Sequence, residues 1–220
     1  MTNVNSLLKK DPKSYSILTS SSEIGENLAV EVYVVGGYVR DVIIGNNLSD
    51  IDIMVVGDGI NYARKLLTKL DGNSIVPFKK FGTAQILLDD DLIEVSSARS
   101  ESYITNSRKP KIDSADLRTD LSRRDFTINA MAVSLNKSDF GELHDPYNGI
   151  RDLNRGVIQT PLDPNQTFSD DPLRMLRAIR FAAQLHFQIA PNIIESISRI
   201  KNRIKIISCL YKKIPWYLWR

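Results

Sequence analysis

The sequence predicts an α/β fold with a small mixed sheet, followed by an all-helical segment, and three observations support this prediction. Residues 32–35 are an apolar, β-branched run that Gly36 and Gly37 break, as at the end of a buried strand. Residues 84–95 contain two apolar runs around an acidic turn, which indicates a hairpin of sheet strands. Residues 171–187 carry charged and apolar side chains at helical spacing, which favours a helical second unit.

The whole chain has the composition of an ordinary globular protein. Its 220 residues, 42% hydrophobic and 25% charged, suffice for one large domain or two small ones. The formal net charge of +3 is too small to argue for RNA binding by itself. A single cysteine, Cys209, excludes an internal disulfide framework and predicts a reducing, cytoplasmic environment. Neither a signal peptide nor a membrane span is expected, and nothing in the sequence bears on the oligomeric state.

Three units are predicted along the chain. Residues 1–30 read as one or two short amphipathic helices beside the first strand, because apolar positions alternate there with polar ones. Residues 31–160 form the α/β head domain, and residues 165–220 form a helical neck. The boundary is placed at residues 161–164, since prolines punctuate this stretch and mark it as a connection.

The head domain begins with a strand, a glycine turn and a short helix. Glycine adopts a positive φ at little cost and lets the backbone come close to a ligand. Gly36 and Gly37 precede Arg40, which falls on the first turn of the expected helix, where backbone N–H groups attract anions. Gly36, Gly37 and Arg40 are therefore candidate residues for binding the triphosphate of a nucleotide.

Two aspartates lie on the next predicted strand. Side chains alternate along a strand, so Asp50 and Asp52 share one face, while Ile51 and Ile53 point into the core. Two carboxylates on one face repel each other unless a cation lies between them, and hard oxygen ligands suit Mg²⁺ together with substrate phosphates. For a lone pair of aspartates, a solvated strand end would be the better interpretation. The glycine turn and Arg40 before them favour a metal site for nucleotidyl transfer.

These motifs resemble the signature of a known family. The pattern GG-x-V-R-D followed by D-x-D in residues 36–52 is similar to that of the class II tRNA nucleotidyltransferase and poly(A) polymerase family, within the polymerase-β-like superfamily. The resemblance covers residues 32–208, most of the chain. It implies a polymerase-β-like nucleotidyltransferase head, Mg²⁺ as cofactor, and CTP, ATP and the 3′ end of tRNA as partners.

A third carboxylate stands out in the hairpin that follows. Residues 60–70 read as a helix and residues 75–78 as a strand. Glu94 interrupts an otherwise apolar strand, where a charge is costly unless it is paired. In related polymerases a neighbouring strand often supplies a third carboxylate, so the resemblance makes Glu94 a candidate catalytic residue facing Asp50 and Asp52. An edge-strand residue facing water is the alternative.

A second motif, DLSRRDFTINAMA, occupies residues 120–132. Arg124 can bind phosphate oxygens with its forked guanidinium, and Asp125 and Asn129 offer hydrogen bonds that a ribose hydroxyl could use. Bracing of the sheet is the alternative for Arg124 and Asp125. The family has a nearly identical motif whose matching arginine belongs to the nucleotide site, which assigns Arg124 there, with Asp125 and Asn129 as ribose-side or bracing residues. The basic run at residues 107–111 is a solvated loop that could touch RNA phosphates.

The predicted helix of the neck carries a charged stripe. Ser169 or Asp170 is expected to cap its N-terminus, with Pro172 in the first turn. The stripe consists of Asp171, Arg174, Arg177 and Arg180. Recurrence at every third residue makes the stripe drift around the helix and climb about 13 Å, which is enough to serve both ends of a nucleotide. An exposed face with a routine ion pair is the alternative, but the apolar remainder of the helix favours a lined cleft.

The first two members of the stripe match the hydrogen-bonding pattern of two bases. Cytosine and adenine both present an exocyclic amino donor beside a ring-nitrogen acceptor. Asp171 can accept from the amino group and Arg174 can donate to the ring nitrogen, whereas uracil and guanine would leave both side chains unpaired. This resembles the family's E-D-x-x-R motif, with Asp170 where glutamate is usual. By the same resemblance, Arg177 and Arg180 complete the nucleotide site.

The resemblance ends before the last residues of the chain. Family members continue into a long helical body and tail that hold the tRNA, whereas residues 209–220 read CLYKKIPWYLWR and do not continue the pattern. A truncated or altered C-terminus is therefore expected, so that the neck is incomplete. A longer parent could include a metal-dependent phosphohydrolase domain, as in some bacterial relatives.

The predicted function is template-independent addition of C and A to the 3′ end of tRNA from CTP and ATP, with release of pyrophosphate. In this interpretation Asp50 and Asp52 hold the metal ions. A poly(A) polymerase, or an enzyme that adds only C or only A, is an alternative that the motifs do not separate. A non-catalytic nucleotide-binding fragment without the tRNA-binding body is an alternative of another class, although the intact Asp50 and Asp52 argue against a decayed catalytic head.

Overall fold

The computed structural model describes residues 2–46, 50–88, 91–102 and 110–207. In chain order, the strands are β1 (Glu31–Val35), β2 (Ile51–Val56), β3 (Ser74–Phe78), β4 (Thr83–Leu88), β5 (Asp91–Ser97), β6 (Arg99–Ser102), β7 (Lys111–Ser114), β8 (Ala132–Ser134), β9 (Leu143–His144), β10 (Val157–Ile158) and β11 (Gln188–Ile189). The α-helices are α1 (Asn5–Leu8), α2 (Pro12–Leu28), α3 (Gly37–Ile44), α4 (Gly59–Leu70), α5 (Leu117–Ser122), α6 (Gly149–Arg155), α7 (Pro164–Asp170), α8 (Leu173–Leu185) and α9 (Pro191–Ile200). Short 3₁₀ helices lie at Lys79–Phe81, Thr127–Asn129 and Lys201–Ile206. Of the basic loop predicted at 107–111, residues 107–109 lie outside the described ranges, and Lys111 begins β7 instead of lying in a loop. Residues 208–220, the end of the predicted neck, also lie outside the described ranges.

A seven-stranded mixed sheet forms the centre of the head, which confirms the predicted fold class. The strand order is β3-β4-β5-β2-β1-β8-β9. Among the described strands of this sheet, β2 and β5 run parallel, and the other neighbours are antiparallel. The parallel pair lies inside the sheet and places the strand that carries Asp52 beside the strand that carries Glu94.

Helices α2 and α4 pack on one face of the sheet. Alternate residues of the strands point to this face because side chains alternate along a strand. The apolar cluster between helices and sheet includes Leu18, Tyr62, Leu66, Val34, Ile53, Ile86 and Ile93. The Tyr62 hydroxyl donates to the Ser21 carbonyl at 2.6 Å and ties α4 to α2. Helices are therefore present in residues 1–30, as predicted, and α2 contributes to the main core.

A smaller apolar cluster covers part of the opposite face. Tyr33 and Val35 of β1 and Met54 of β2 pack there against Leu121 of α5 and Ala130. Met54 lies two residues from Asp52 on the same strand, so this is also the face that presents Asp52. The α5 side of the molecule therefore covers β1 and β2 next to the predicted carboxylates.

The start of the neck differs from the prediction. Ser169 and Asp170 do not cap the arginine-bearing helix, because they lie in the last turn of α7. Asp171 follows in an extended conformation, with φ −135° and ψ 100°, as the residue before a proline is disfavoured in the helical region. The arginine-bearing helix α8 therefore begins at Leu173.

The neck is also not purely helical. Strand β10, at the end of the head, pairs in parallel with β11, which directly follows α8. Phe168, Met175, Ala190 and Ile193 form a buried cluster between α7, α8 and α9. These contacts fix α8 against the head at its C-terminal end and against its neighbouring helices along its length. In the described part of the chain, no helix is long and apolar enough to cross a membrane.

Candidate active site

At the glycine turn between β1 and α3, the three predicted motifs come close together: the glycines, the aspartate strand and the arginine motif. Gly36 has φ 74° and ψ −137°, a backbone conformation that residues with a Cβ rarely adopt. A Cβ atom added to Gly36 would lie 3.1 Å from Arg124 Nη1 and 3.2 Å from Asp52 Oδ2. The turn, the aspartate strand and the arginine motif therefore converge within a few ångströms, and Gly36 leaves the space between them open. Gly37 starts α3, so the first backbone N–H groups of this helix lie at the same place.

The carboxylates come from two adjacent strands. Asp52 of β2 is the register partner of Glu94 of β5, and register partners point to the same face of a sheet. Asp50 is exposed and directly precedes β2. The structure thus places Glu94 beside Asp52, in the position that the family resemblance implied. The role of Glu94 in binding a metal or in catalysis stays a prediction.

Burial and mutual repulsion make this group of carboxylates unusual. Burial, together with the charges of Glu94 and Asp50, raises the pKa of Asp52 to about 7 despite the opposing effect of Arg124. The Gln85 side chain donates a long hydrogen bond to Glu94 Oε2, at 3.5 Å. In the described residues, no group of three or more His, Cys, Asp and Glu side chains could hold a metal ion. The candidate metal ligands are therefore still the aspartates predicted from the sequence, with Glu94 next to them.

A buried aspartate orients the arginines of the second motif. Asp120 is fully buried and accepts from Arg123 Nη2 at 2.6 Å and from Arg124 Nη2 at 3.1 Å. It also accepts from the backbone N–H of Arg99 at 3.2 Å. Burial alone would raise the pKa of Asp120, but the Arg124 and Arg123 guanidinium groups outweigh it and hold this pKa below its ordinary value. Asp120 therefore stays ionised and holds Arg124 in place beside Gly36.

Asp125 and Asn129 take part in a hydrogen-bonded chain that joins α3, the second motif and α8. Arg40 donates to both carboxylate oxygens of Asp41 at 2.8 Å and to Asn129 Oδ1 at 2.7 Å. Asn129 Nδ2 donates to Asp125 Oδ1 at 3.2 Å, and Arg177 Nε donates to Asp125 Oδ2 at 2.6 Å. These side chains brace the elements of the site against each other. The predicted contacts of Arg40 with a triphosphate and of Asp125 and Asn129 with a ribose stay predictions.

The two residues predicted to read the base, Asp171 and Arg174, lie at the junction of α7 and α8. Asp171 Oδ1 accepts from the backbone N–H of Leu173 at 3.1 Å. Arg174 Nη2 donates to the carbonyl oxygen of Arg123 at 2.6 Å and lies 4.0 Å from Glu101 Oε2. Arg174 is therefore anchored on the head domain, although it belongs to the neck.

Three guanidinium groups converge on one aromatic ring. The Arg180, Arg177 and Arg40 groups lie 4.6, 5.0 and 5.5 Å from the centre of the Phe181 ring. Burial, followed by the charges of Arg177 and Arg40, lowers the pKa of Arg180 despite the opposing effect of Asp125. Arg180 Nε is buried and has no hydrogen-bond partner among the described residues. A buried cationic N–H without an acceptor is costly, so this cluster is suited to bind an anion.

The sequence interpretation missed four residues of this site. Asp120, Asp41 and Glu101 pair with its arginines, and Phe181 forms the platform under three of them. The spacing of Asp120 three and four residues before Arg123 and Arg124 is a signal that could have found it. Phe181 gave no such signal, since an aromatic residue on an apolar helix is usually part of a core.

Comparisons with known proteins identify the family and relatives of this chain. Residues 32–159 match the family described as the poly A polymerase head domain. The chain is 43% identical over 161 residues to the A-adding tRNA nucleotidyltransferase of Aquifex aeolicus, covering 73% of this chain and 19% of that protein. It is 39% identical over 186 residues to the CCA-adding enzyme of Bacillus pumilus, covering 84% of this chain and 44% of that protein.

A solved structure extends the similarity to three dimensions. The structure described as a CCA-adding enzyme with CTP matches with a TM-score of 0.77 at 34% identity. The match covers 94% of this chain and 50% of that one. The chain therefore spans half or less of the length of each of these relatives.

Proposed function

The chain belongs to the poly A polymerase head domain family, and from this membership we propose that it adds C and A to the 3′ end of tRNA, using CTP and ATP. Its similarity to an A-adding tRNA nucleotidyltransferase and to a CCA-adding enzyme supports this proposal. Residues 31–160 act as the nucleotidyl-transferring head, and the neck from residue 165 onward selects the base. The single cysteine remains the basis for predicting a cytoplasmic location.

One observation carries the proposal: the closeness of three motifs around Gly36. Arg124 Nη1 and Asp52 Oδ2 flank the position that a Cβ of Gly36 would occupy. A cationic donor and a carboxylate that face the same open turn can hold the two ends of a metal–phosphate unit. If Arg124 and Asp52 only stabilised the end of the sheet, we would expect their side chains to contact each other directly. Instead, both face the open position beside Gly36.

The carboxylates fit a divalent cation. Their donor atoms are hard oxygens, and the raised pKa of Asp52, caused by burial and by the charges of Glu94 and Asp50, reflects a repulsion that a cation would relieve. Asp50 and Asp52 would hold Mg²⁺, with Glu94 beside them. Bound there, the ion would make the RNA 3′-hydroxyl a better nucleophile and stabilise the charge of the departing pyrophosphate.

The rest of the site positions the triphosphate. The hydroxyl oxygen at the RNA 3′ end attacks the α-phosphorus, its proton is released, and the bond to the β-phosphate oxygen breaks. The backbone at Gly36 and Gly37 allows close approach of the phosphates. Arg124, Arg177 and Arg180 supply positive charge, and the buried Arg180 Nε is a donor that a phosphate oxygen would satisfy.

Asp171 and Arg174 select the base by their hydrogen-bonding pattern. Arg174 carries five N–H donors, and its contact with the Arg123 carbonyl uses one of them while fixing the guanidinium. Cytosine and adenine satisfy a carboxylate acceptor beside a guanidinium donor, whereas uracil and guanine leave both without partners. The same pair therefore serves CTP and ATP without a nucleic-acid template.

A narrower specificity is the alternative within the same chemistry. An enzyme that adds only A is favoured by the similarity to the A-adding relative of Aquifex aeolicus. C-only addition and poly(A) synthesis use the same residues for transfer, so the added sequence distinguishes these activities.

The test is incorporation of labelled CTP and ATP into a tRNA that lacks its terminal CCA, with Mg²⁺ and sequencing of the products. We expect C and A to be added by the 220-residue chain and the D52N variant to lose at least 100-fold in rate, since its carboxylate is replaced at the metal site. The matched control is D58N. Asp58 is exposed, caps α4 and can be replaced as a cap by asparagine, so its rate should stay within twofold.

Equal rates for D52N and the unaltered chain would contradict the assignment of the metal site. Nucleotide binding without any incorporation would instead support the non-catalytic fragment. Addition of A to a tRNA that already ends in CC, without any addition of C to the tRNA that lacks CCA, would identify the narrower, A-adding activity.

A further inference from the structure

The register of the sheet places Asp52 in a row of side chains that crosses four strands. Asp52 of β2 is paired with Glu94 of β5, Glu94 with Gln85 of β4, and Gln85 with Val76 of β3. Paired residues share a face, so this row runs from the candidate metal site to the edge of the sheet. Strands lie about 4.8 Å apart, so the row spans about 14 Å.

Most of the apolar surface at the far end of this row is open. Val76 and Phe78 of the edge strand are 52% and 40% exposed, and Leu87 of β4, on the same face, is 42% exposed. The next row of the register joins Phe78 to Thr83, Ser96 and Met54. The apolar cluster of α5 that covers Met54 does not include the β3 and β4 residues, so this part of the site face is uncovered among the described residues.

Basic and aromatic residues adjoin the open surface. The 3₁₀ turn after β3 consists of Lys79, Lys80 and Phe81, which are all exposed, with the Lys80 ammonium 6.0 Å from the centre of the Phe81 ring. The turn is tied to the site, because Arg99 Nη1 donates to the Phe81 carbonyl at 2.8 Å. Arg99 also shares the carboxylate Glu101 with Arg123. We call Val76, Phe78, Lys79, Lys80 and Phe81 the β3 platform.

We infer that the β3 platform binds the single-stranded 3′ end of the RNA substrate and leads it to Asp52. This inference rests on the proposed function. Single-stranded RNA is bound by aromatic side chains that stack on bases and by cationic side chains that follow the phosphates, and the platform supplies both. The platform continues into the row of side chains that ends at Asp52. The RNA would therefore bind with its 3′-hydroxyl at Asp52 and its preceding nucleotides toward the edge of the sheet.

A protein strand is a poorer occupant of this edge. Pro77 lies in the middle of β3 and has no N–H to donate to an added strand, and lysines beside an edge discourage strand pairing. A second copy of the chain paired along β3 is therefore disfavoured. The pairing of charged and aromatic side chains favours a polyanion with stacking bases.

The test measures binding of a fluorescent single-stranded hexanucleotide ending in CC to the 220-residue chain by anisotropy. CTP binding is measured by calorimetry on the same variants. We expect F78A to weaken RNA binding about fivefold or more, because an aromatic platform contributes that much per stacked base. CTP binding should change less than twofold. The matched controls are I194A and K65A, because Ile194 on α9 is 52% exposed and Lys65 is an exposed residue of α4, which packs on the opposite face.

The lysines have a separate signature. Each phosphate contact on a single strand contributes about 0.7 to the slope of log K against log salt. The double variant K79A/K80A should therefore lower this slope by about 1.4, while F78A and K65A leave the slope unchanged. This readout separates loss of phosphate contacts from general damage to the fold.

Three outcomes would overturn the inference. RNA affinity of F78A within twofold of the unaltered chain would exclude stacking, and an unchanged salt slope for K79A/K80A would exclude the phosphate contacts. CTP binding by a chain that does not bind the RNA at all would exclude the platform while leaving the nucleotide site intact. Failure of CTP binding together with normal, F78A-sensitive RNA binding would instead overturn the proposed function and keep the platform.

Discussion

Gly36 contributes to the candidate site by the absence of a side chain. Its backbone angles exclude residues with a Cβ at ordinary cost, and the empty position lies against Arg124 and Asp52. The sequence was sufficient to identify this glycine, because the break of an apolar run by Gly36 and Gly37 is a local signal. The closeness of Arg124 was not predictable from local signals, because 88 residues separate the two positions and only the sheet brings them together.

We expect G36A to weaken CTP binding at least tenfold. The added methyl group enters the space beside Arg124 Nη1 and Asp52 Oδ2, and the backbone strain costs about 1–3 kcal/mol. The control is G45A. Gly45 also has a positive φ, 71°, and none of the described residues comes within 4 Å of its added Cβ. G45A should therefore lose about 1–2 kcal/mol of stability and keep CTP affinity within twofold. Equal CTP affinities for G36A and G45A would contradict the assigned role of the turn.

At the scale of single side chains, the sequence was sufficient to predict which arginines belong to the site but not which side chains they pair with. The sequence assigns Arg40 to the triphosphate, and in the structure its guanidinium is bonded to Asp41 and Asn129. Such a pairing depends on which neighbours the fold supplies, and residue type alone does not determine it. Arg124 depends in the same way on Asp120. The spacing of the two residues permits this pairing, but only the fold shows that the pair is buried beside the site.

At the scale of elements, the start of α8 is determined by a proline and by the preceding helix, rather than by the N-cap residues that the sequence offers. Both Ser169 and Asp170 are good N-cap residues, but α7 had already begun at Pro164 with Asp163 as its cap and includes both of them. The proline after Asp171 then kept that residue extended. The predicted stripe of arginines survives this correction, since Arg174, Arg177 and Arg180 all lie within α8.

Asp125 is one of the connections between α8 and the head, and its ionisation predicts a pH dependence of stability. Burial alone would raise the pKa of Asp125, but the charge and hydrogen bond of Arg177 and the hydrogen bond of Asn129 outweigh it and hold the pKa below the ordinary value. A carboxyl group with a lowered pKa in the folded state stabilises the fold above its unfolded pKa of about 3.9. This stabilisation is lost as the pH falls through the folded pKa.

We therefore expect D125N to lower the free energy of unfolding at pH 7 by about 1–3 kcal/mol, measured by urea denaturation. Below about pH 4 the difference between D125N and the unaltered chain should shrink. The control is D163N, because Asp163 is an exposed cap of α7 that asparagine replaces well, and its stability should change by less than about 0.5 kcal/mol. A D125N deficit that is constant from pH 7 to pH 3 would contradict the ionised role of Asp125.

At the scale of the whole molecule, the sheet converts distant motifs into one site. Parallel pairing of β2 with β5 sets Glu94 beside Asp52, and the small β10–β11 pair holds the end of α8 to the head. The fold class and most strands followed from apolar runs and turns, because those signals are local. The parallel pairing and the β10–β11 contact did not, because pairing between strands far apart in the chain depends on the packing of helices between them.

Head and neck together are proposed to form a nucleotide pocket that selects C and A. The most direct measurement is calorimetry of CTP, ATP, UTP and GTP binding, with Mg²⁺, to the 220-residue chain and to D171A. We expect CTP and ATP to bind at least tenfold more tightly than UTP and GTP, because the unpaired polar groups that UTP and GTP leave are costly. In D171A this preference should fall below threefold while triphosphate binding persists. Equal binding of all four nucleotides to the unaltered chain, or an unchanged preference in D171A, would contradict the claim.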